Sequence, residues 1–350
     1  MNNRFFTIGI ILFLFQIHLP DVSGTEFNQE SIKQLLQESV QVSISVPYRG
    51  VITYKRVNDE ENWSIQFEIL RTAPNIKKIT LLEPRSVKGI VLLQNQEGIW
   101  ITPINQDMKE RIESERRSFL WEWLFHSRES IGFEDLSALM NNYHVTVKQN
   151  ASVADQDAYM VAINPKYQRR PALRLHIDKQ TKMQLKYERL DRHGNPLESF
   201  QFNSIEYHPA YEEHELSTDG MEAKYKEPDF PDPPKNIALD FTPFTTECLP
   251  DGFQKIKETH WQGRERTILH TLYSDGLARM SVIQRKLGAE EIKKSLENPE
   301  PDDKPVVKKY ERQGRTVFFR ELDGVKIAIV GDVSSREIIR ALTNMSRTEE

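Results

Sequence analysis

The chain has 350 residues, with 47 lysines and arginines against 52 acids and a net charge of −5. That length is enough for about two domains with real cores, and so balanced a charge argues against nucleic acid as the main partner, which would need a clustered Lys/Arg excess. The single cysteine, Cys248, excludes an internal disulfide and a zinc site built on cysteine pairs.

Residues 5–19 run almost wholly apolar after Arg4, and Val22 and Gly24 supply the small residues that a signal peptidase accepts before Thr25. The run is shorter than the ~20 apolar residues of a membrane span, and His18 and Pro20 end it. Residues 1–24 therefore read as a cleaved secretory signal, with an uncleaved anchor as the alternative. An exported chain with one cysteine must be held by packing rather than crosslinks, which suits a bacterial periplasm.

Residues 25–205 form the expected first domain. Ile32, Leu35, Leu36 and Val40 recur at helical spacing, which predicts a helix over 29–40. Strand patterns follow at 48–57, 64–72, 77–84, 88–96 and 98–104, rich in Ile, Val, Thr and aromatics and parted by turn formers. Two helical pieces interrupt, at 119–125 and 134–142. Strands then resume at 157–165, 172–178, 183–191 and 197–207, with residues 191–195 as a hairpin turn. So many consecutive strands imply one antiparallel sheet that must curl. The reading is a curled antiparallel half-barrel with helices on its concave side.

Such a sheet is a container. The piece 119–125 is FLWEWLF, too apolar for a solvent-facing helix. Phe119, Leu120, Trp121, Trp123 and Leu124 either pack into the core or form a plug or lid over a cavity able to admit an acyl chain.

Residues 206–239 hold nine acids against three lysines up to position 235, and prolines at 228, 231, 233 and 234. Proline removes amide donors and disfavours helix before it, so this stretch reads as a semi-extended acidic connector. Residues 240–350 form a smaller α+β domain. Ile268, His270 and Leu272 alternate against Leu269, Thr271 and Tyr273, Asp275-Gly276 signals a hairpin, and strands follow at 314–322 and 324–333 across Asp323-Gly324. Ser334 with Glu337 caps a closing amphipathic helix. Residues 298–305, NPEPDDKP, read as a charged loop within this domain.

No nucleophile elbow, phosphate loop, dinucleotide glycine pattern or HExxH is present. Cys248 has no histidine beside it and reads as an inert thiol. His208 and His214 with Glu212 or Glu215 offer donors for a divalent cation, but a spacing of six fits no common site and a solvated acidic segment accounts for them better. The basic doublets Lys77-Lys78, Arg116-Arg117 and Arg169-Arg170 suit either anionic head groups or plain solvated surface. No catalytic residue, metal or cofactor is expected. The chain reads as a binder.

The stretch 172–207 resembles the MucB/RseB family of periplasmic regulators of envelope-stress sigma factors. So do Leu249-Pro250-Asp251-Gly252-Phe253, the hairpin Tyr273-Ser274-Asp275-Gly276-Leu277, and the strand 326–333 before the closing helix. The resemblance implies a large N-terminal domain like the lipoprotein carriers LolA and LolB. It also implies binding to the periplasmic domain of a transmembrane anti-sigma factor, which the protein shields from proteolysis. Lipopolysaccharide or another acylated ligand would relieve that binding, and association into a homo-oligomer stays open. The alternative is a periplasmic lipid or lipoprotein carrier. For the partner, Trp261, Tyr273 and Asp275 are the candidate contacts, with the two aromatics expected to be exposed, because aromatic anchors dominate interface energetics.

Overall fold

The computed structural model describes residues 27–57, 62–102, 130–191, 193–225, 238–262, 266–289, 291, 307–312 and 315–347. The signal segment, FLWEWLF, Arg116-Arg117, the proline cluster of the connector and residues 298–305 lie outside them.

Helix α1 (Gln29–Ser45) starts where the Asn28 side chain accepts from the Ser31 amide at 2.9 Å. It buries Ile32, Leu35 and Leu36 and runs five residues past the expected end. The apolar period stops at Val40, but Ser39 and Ser43 continue the same face by hydrogen bonding. Gln184 donates from its side chain to the Ser39 hydroxyl at 3.1 Å and from its amide to the Ser43 hydroxyl at 3.2 Å.

Five strands follow: β1 (Tyr48–Val57), β2 (Asn62–Ala73), β3 (Ile76–Glu83), β4 (Val91–Asn95) and β5 (Gly98–Ile101). After helix α2 (Leu136–Asn142) come β6 (Tyr143–Val153), β7 (Gln156–Pro165), β8 (Ala172–Asp178), β9 (Gln184–Leu190), β10 (Pro196–Tyr207) and β11 (Glu222–Tyr225). These eleven strands make one unclosed, curled antiparallel sheet in the order β11-β5-β4-β3-β2-β1-β10-β9-β8-β7-β6. It is two meanders joined where β10 returns beside β1. Alternate residues such as Ile52, Tyr54, Phe67, Leu175, Phe200 and Phe202 point to the face that α1 covers, where each fully buried side chain contributes about 2 kcal/mol.

The expected connector is shorter than its charge suggested. Glu206 and Tyr207 finish β10, and β11 pairs with β5 in the sheet. Between them Arg49 holds Glu215 through two hydrogen bonds of 2.9 and 3.1 Å. One basic partner from a distant strand turns an acidic run into part of the first domain.

The second domain contains β12 (Phe244–Thr246), β13 (Gln254–Gln262), β14 (Thr267–Ser274), β15 (Arg279–Lys286), β16 (Lys308–Arg312), β17 (Arg315–Leu322), β18 (Val325–Gly331), helix α3 (Ser335–Thr343) and β19 (Met345–Arg347). The main sheet runs β13-β14-β15-β18-β17-β16, all antiparallel, and β12 pairs with β19. Asp323 and Gly324 both have positive φ, +47° and +78°, as a two-residue hairpin with a right-handed twist requires. Ile338, Ala341 and Leu342 of α3 pack on Met280, Val282, Phe318, Ile327 and Ile329. The molecule is α+β, with one core in each domain.

Candidate functional site between the two domains

The two motifs singled out in the second domain are tight turns, and both point at the first domain. In the first, Gly252 has φ +79° and the Phe253 amide donates to the Pro250 carbonyl at 3.0 Å. In the second, the Asp275 carboxylate accepts from the amides of Leu277 (3.1 Å) and Ala278 (2.8 Å), while the Ser274 hydroxyl donates to the Ala278 carbonyl at 2.8 Å. Asp and Ser make such turns because their short side chains reach their own backbone. Gly276, at φ +104°, lies so close to α2 that a Cβ would collide with the Leu139 backbone.

The first domain meets these turns with a polar set. Asn142 donates from one side-chain nitrogen to the carbonyls of Gly252 (3.1 Å) and Asp275 (2.9 Å). The Tyr143 hydroxyl donates to the Asp275 carboxylate at 2.9 Å. Arg170 places its Nε 3.3 Å from that carboxylate and its Nη1 2.8 Å from Glu337, and it lies 4.9 Å over the Phe253 ring. The side chains of Arg170 and Asp275 are 1% and 0% exposed. Gln254–Asp135 (2.8 Å), Arg279–Glu134 (2.6 Å) and Arg189–Asp332 (3.0 Å) surround this centre.

Burial and the Asp275 charge push the Tyr143 hydroxyl well above its ordinary pKa, so it stays a donor. Burial works to raise Glu337, but hydrogen bonds from Ser334 and Arg170 outweigh it and hold the carboxyl below its usual range. Glu337 also closes the capping box of α3 with Ser334. One arginine thus ties together the hairpin, the Phe253 turn and the start of the closing helix. This is a clasp, and removing either charged partner would strand the other in a dry interface.

The candidate contacts are therefore separated. Asp275 is at the centre of the clasp and inaccessible, and Tyr273 is 8% exposed, packed into the second core, which corrects the expectation that it is exposed. Trp261 on β13 is half-buried, with its ring edge-on to His270 at 5.9 Å. Arg170 is buried in the clasp and so is neither a head-group contact nor solvated surface. His214 pairs with Glu212 at 2.9 Å, both exposed. Nothing in the sequence singles out Asn142 and Tyr143, and Arg170 stands there as half of the doublet Arg169-Arg170. Only the two motif glycines, Gly252 and Gly276, signalled the close approach.

The family model described as the MucB/RseB N-terminal domain matches residues 31–220. The sigma factor AlgU regulatory protein MucB of Pseudomonas aeruginosa is 31% identical over 151 residues, which is 43% of this chain and 46% of that protein. The matched segment thus spans about half the length of that relative. A crystal structure of MucB in complex with MucA(peri) covers 91% of this chain and 99% of its own, with a TM-score of 0.56 at 17% identity. A complex structure of Pseudomonas aeruginosa MucA/MucB gives 0.54 at 18%, again covering 91% and 99%. At those identities the likeness is one of fold, and it runs through both domains.

Proposed function

The chain belongs to the MucB/RseB family, and from that premise we propose that it is a non-enzymatic periplasmic regulator. In this reading it binds the periplasmic region of a transmembrane anti-sigma factor and keeps proteases from it. The observation that carries the reading is the shared two-domain fold with MucB in complex with MucA(peri). The clasp adds a physical reason to treat the domains as one binding body, because it joins both turn motifs to the first domain. A protease needs an extended, accessible strand, so a partner segment laid across that body is shielded by occlusion alone. A lipid-like ligand relieves the complex only if it binds the partner-free arrangement more tightly.

The test uses chain from Thr25 onward and the purified periplasmic region of the anti-sigma factor from the same cell. Calorimetry should give saturable binding, and cleavage of the partner by its protease should slow at least tenfold when the complex is saturated. No binding at 100 μM of each would sink the reading. Lipopolysaccharide added to the complex should restore cleavage. A carrier would instead take up an acyl-chain probe and ignore the partner. The groove of about 460 Å³ beside α1, lined by Val40, Phe133 and Leu136 together with Gln34, Gln37, Glu38 and Gln41, is where such a probe would be sought.

A further inference from the structure

The two domains touch at a second point beside the clasp, and there one arginine stands between two carboxylates. Arg189, on β9, donates from Nη2 to Asp332 of the second domain at 3.0 Å, while its Nη1 lies 3.7 Å from Glu198 of its own sheet, outside hydrogen-bond range. Asp332 is two positions before Ser334, the N-cap of α3. The contact therefore reaches the same helix start that Arg170 holds through Glu337. Glu198 is not short of donors. The Tyr187 hydroxyl donates to it at 3.2 Å, and the Tyr54 hydroxyl is hydrogen-bonded to it as well. Burial and the Glu198 charge push both hydroxyls well above their ordinary pKa, so both stay donors. Arg56 stands opposite Glu198 on β1, but among the described residues Arg189 alone is in ion-pair range of that carboxylate.

We infer that Arg189 is a two-position latch: it holds the second domain through Asp332 while the Tyr54 and Tyr187 hydroxyls supply Glu198, and it turns back to Glu198 when they are withdrawn. Unequal burial decides which carboxylate wins. The Glu198 side chain is 23% exposed and that of Asp332 39%, so water serves Asp332 better. An ion pair so open to solvent is worth little, whereas a carboxylate stripped of its donors in a drier place is costly. Tyr187 lies flat on Phe200, with ring centroids 5.3 Å apart, and the row continues edge-on through Phe202 to Tyr48. All four rings are buried in the first core, and a close-packed row passes a displacement along itself. The latch thus lets the packing of the first core set how firmly the second domain is held. Its link to partner binding rests on the reading given under Proposed function, in which both domains form one binding body.

Hydrogen exchange at residues 334–338, the start of α3, reads the latch in the chain from Thr25 onward. Tyr54→Phe/Tyr187→Phe keeps both rings and removes both hydroxyls, and exchange there should be at least threefold faster than in wild type. Arg189→Gln, placed in the other domain from the amides being read, should match it. Adding Glu198→Gln to the double variant neutralises the competing carboxylate and should return exchange to the wild-type rate, a rescue that a merely loosened core would not show. Titration with the partner's periplasmic region should give binding at least threefold weaker for the double variant and wild-type binding for the triple one. The inference is overturned if the double variant or Arg189→Gln exchanges as wild type, or if Glu198→Gln restores nothing. If the double variant does not fold, Tyr187→Phe with and without Glu198→Gln takes its place and is held to the same outcomes. Exchange that shifts as expected while partner affinity stays unchanged overturns the latch as a regulator. Wild type that fails to bind the partner defeats the functional reading and leaves the exchange comparison intact.

Discussion

His176 shows how one residue ties stability to pH. It stands on the outer face of β8, facing Lys186 and Glu188 on β9 and flanked by Arg174 on its own strand. Burial and the Lys186 charge lower its pKa from 6.5 to about 4, the nearby Glu188 opposing them. The unfolded imidazole takes its proton near 6.5 and the folded one only near 4, so between those values the unfolded state binds more protons. Stability therefore falls as the pH drops through that window. His176→Gln should flatten the upper part of this fall. Urea midpoints at pH 7.0 and 5.0 check it: they should converge in the variant, and a pH dependence equal to wild type would refute the assignment. Glu337 acts in the same sense lower down, since its depressed pKa makes a contribution that is lost only as pH falls below the usual carboxylate range.

At the scale of elements, the turns do more than reverse the chain. Gly324 and Gly276 both have positive φ, but a Cβ on Gly324 meets nothing within 4 Å, whereas on Gly276 it collides with α2. Gly324→Ala should cost about 1 kcal/mol, the left-handed penalty alone. Gly276→Ala should cost at least about 3 kcal/mol, because strain adds to a collision that only parting the domains relieves. Equilibrium unfolding of the two variants gives the comparison, and equal losses would mean that the Gly276 turn is not pressed against α2. The strands themselves divide just as sharply. Those expected from the sequence are interior strands, while β6, β11, β13 and β16, which were not expected, are the four outermost strands of the two main sheets. Edge strands carry Lys, Glu, Asn and His where interior ones carry a continuous apolar signal, as in Lys255, Lys257 and Glu258 of β13. Alternation of apolar residues reports burial, and an edge is the least buried part of a sheet.

Across the whole molecule, two cores are joined through a contact whose polar centre is the Arg170–Asp275 pair, with Leu277 of the hairpin packed against the first core. Deleting one member of a buried pair typically costs about 3–5 kcal/mol, because the survivor keeps its desolvation penalty without its counter-charge. Arg170→Met keeps the bulk and some contact with Phe253 but leaves Asp275 uncompensated. Calorimetry should show the second domain melting separately and earlier in this variant, where wild type melts as one unit. An unchanged single transition would show that the clasp does not couple the domains. The same coupling gives any ligand that favours a different domain arrangement a defined cost to overcome.

Local chemistry was enough to specify much of this protein. Interior strands, the Ser334 cap, the Asp323-Gly324 hairpin and the α+β class follow from side-chain period and turn preferences, which act over a few residues. The tertiary structure alone decided which polar residues meet. Arg170 lies 105 positions from Asp275 and 167 from Glu337, and Arg49 lies 166 from Glu215. Nothing in an arginine's neighbours along the chain distinguishes a solvated doublet from a buried clasp. A charge is tolerated in a dry interface only when folding delivers its partners, and that is a property of the assembled molecule.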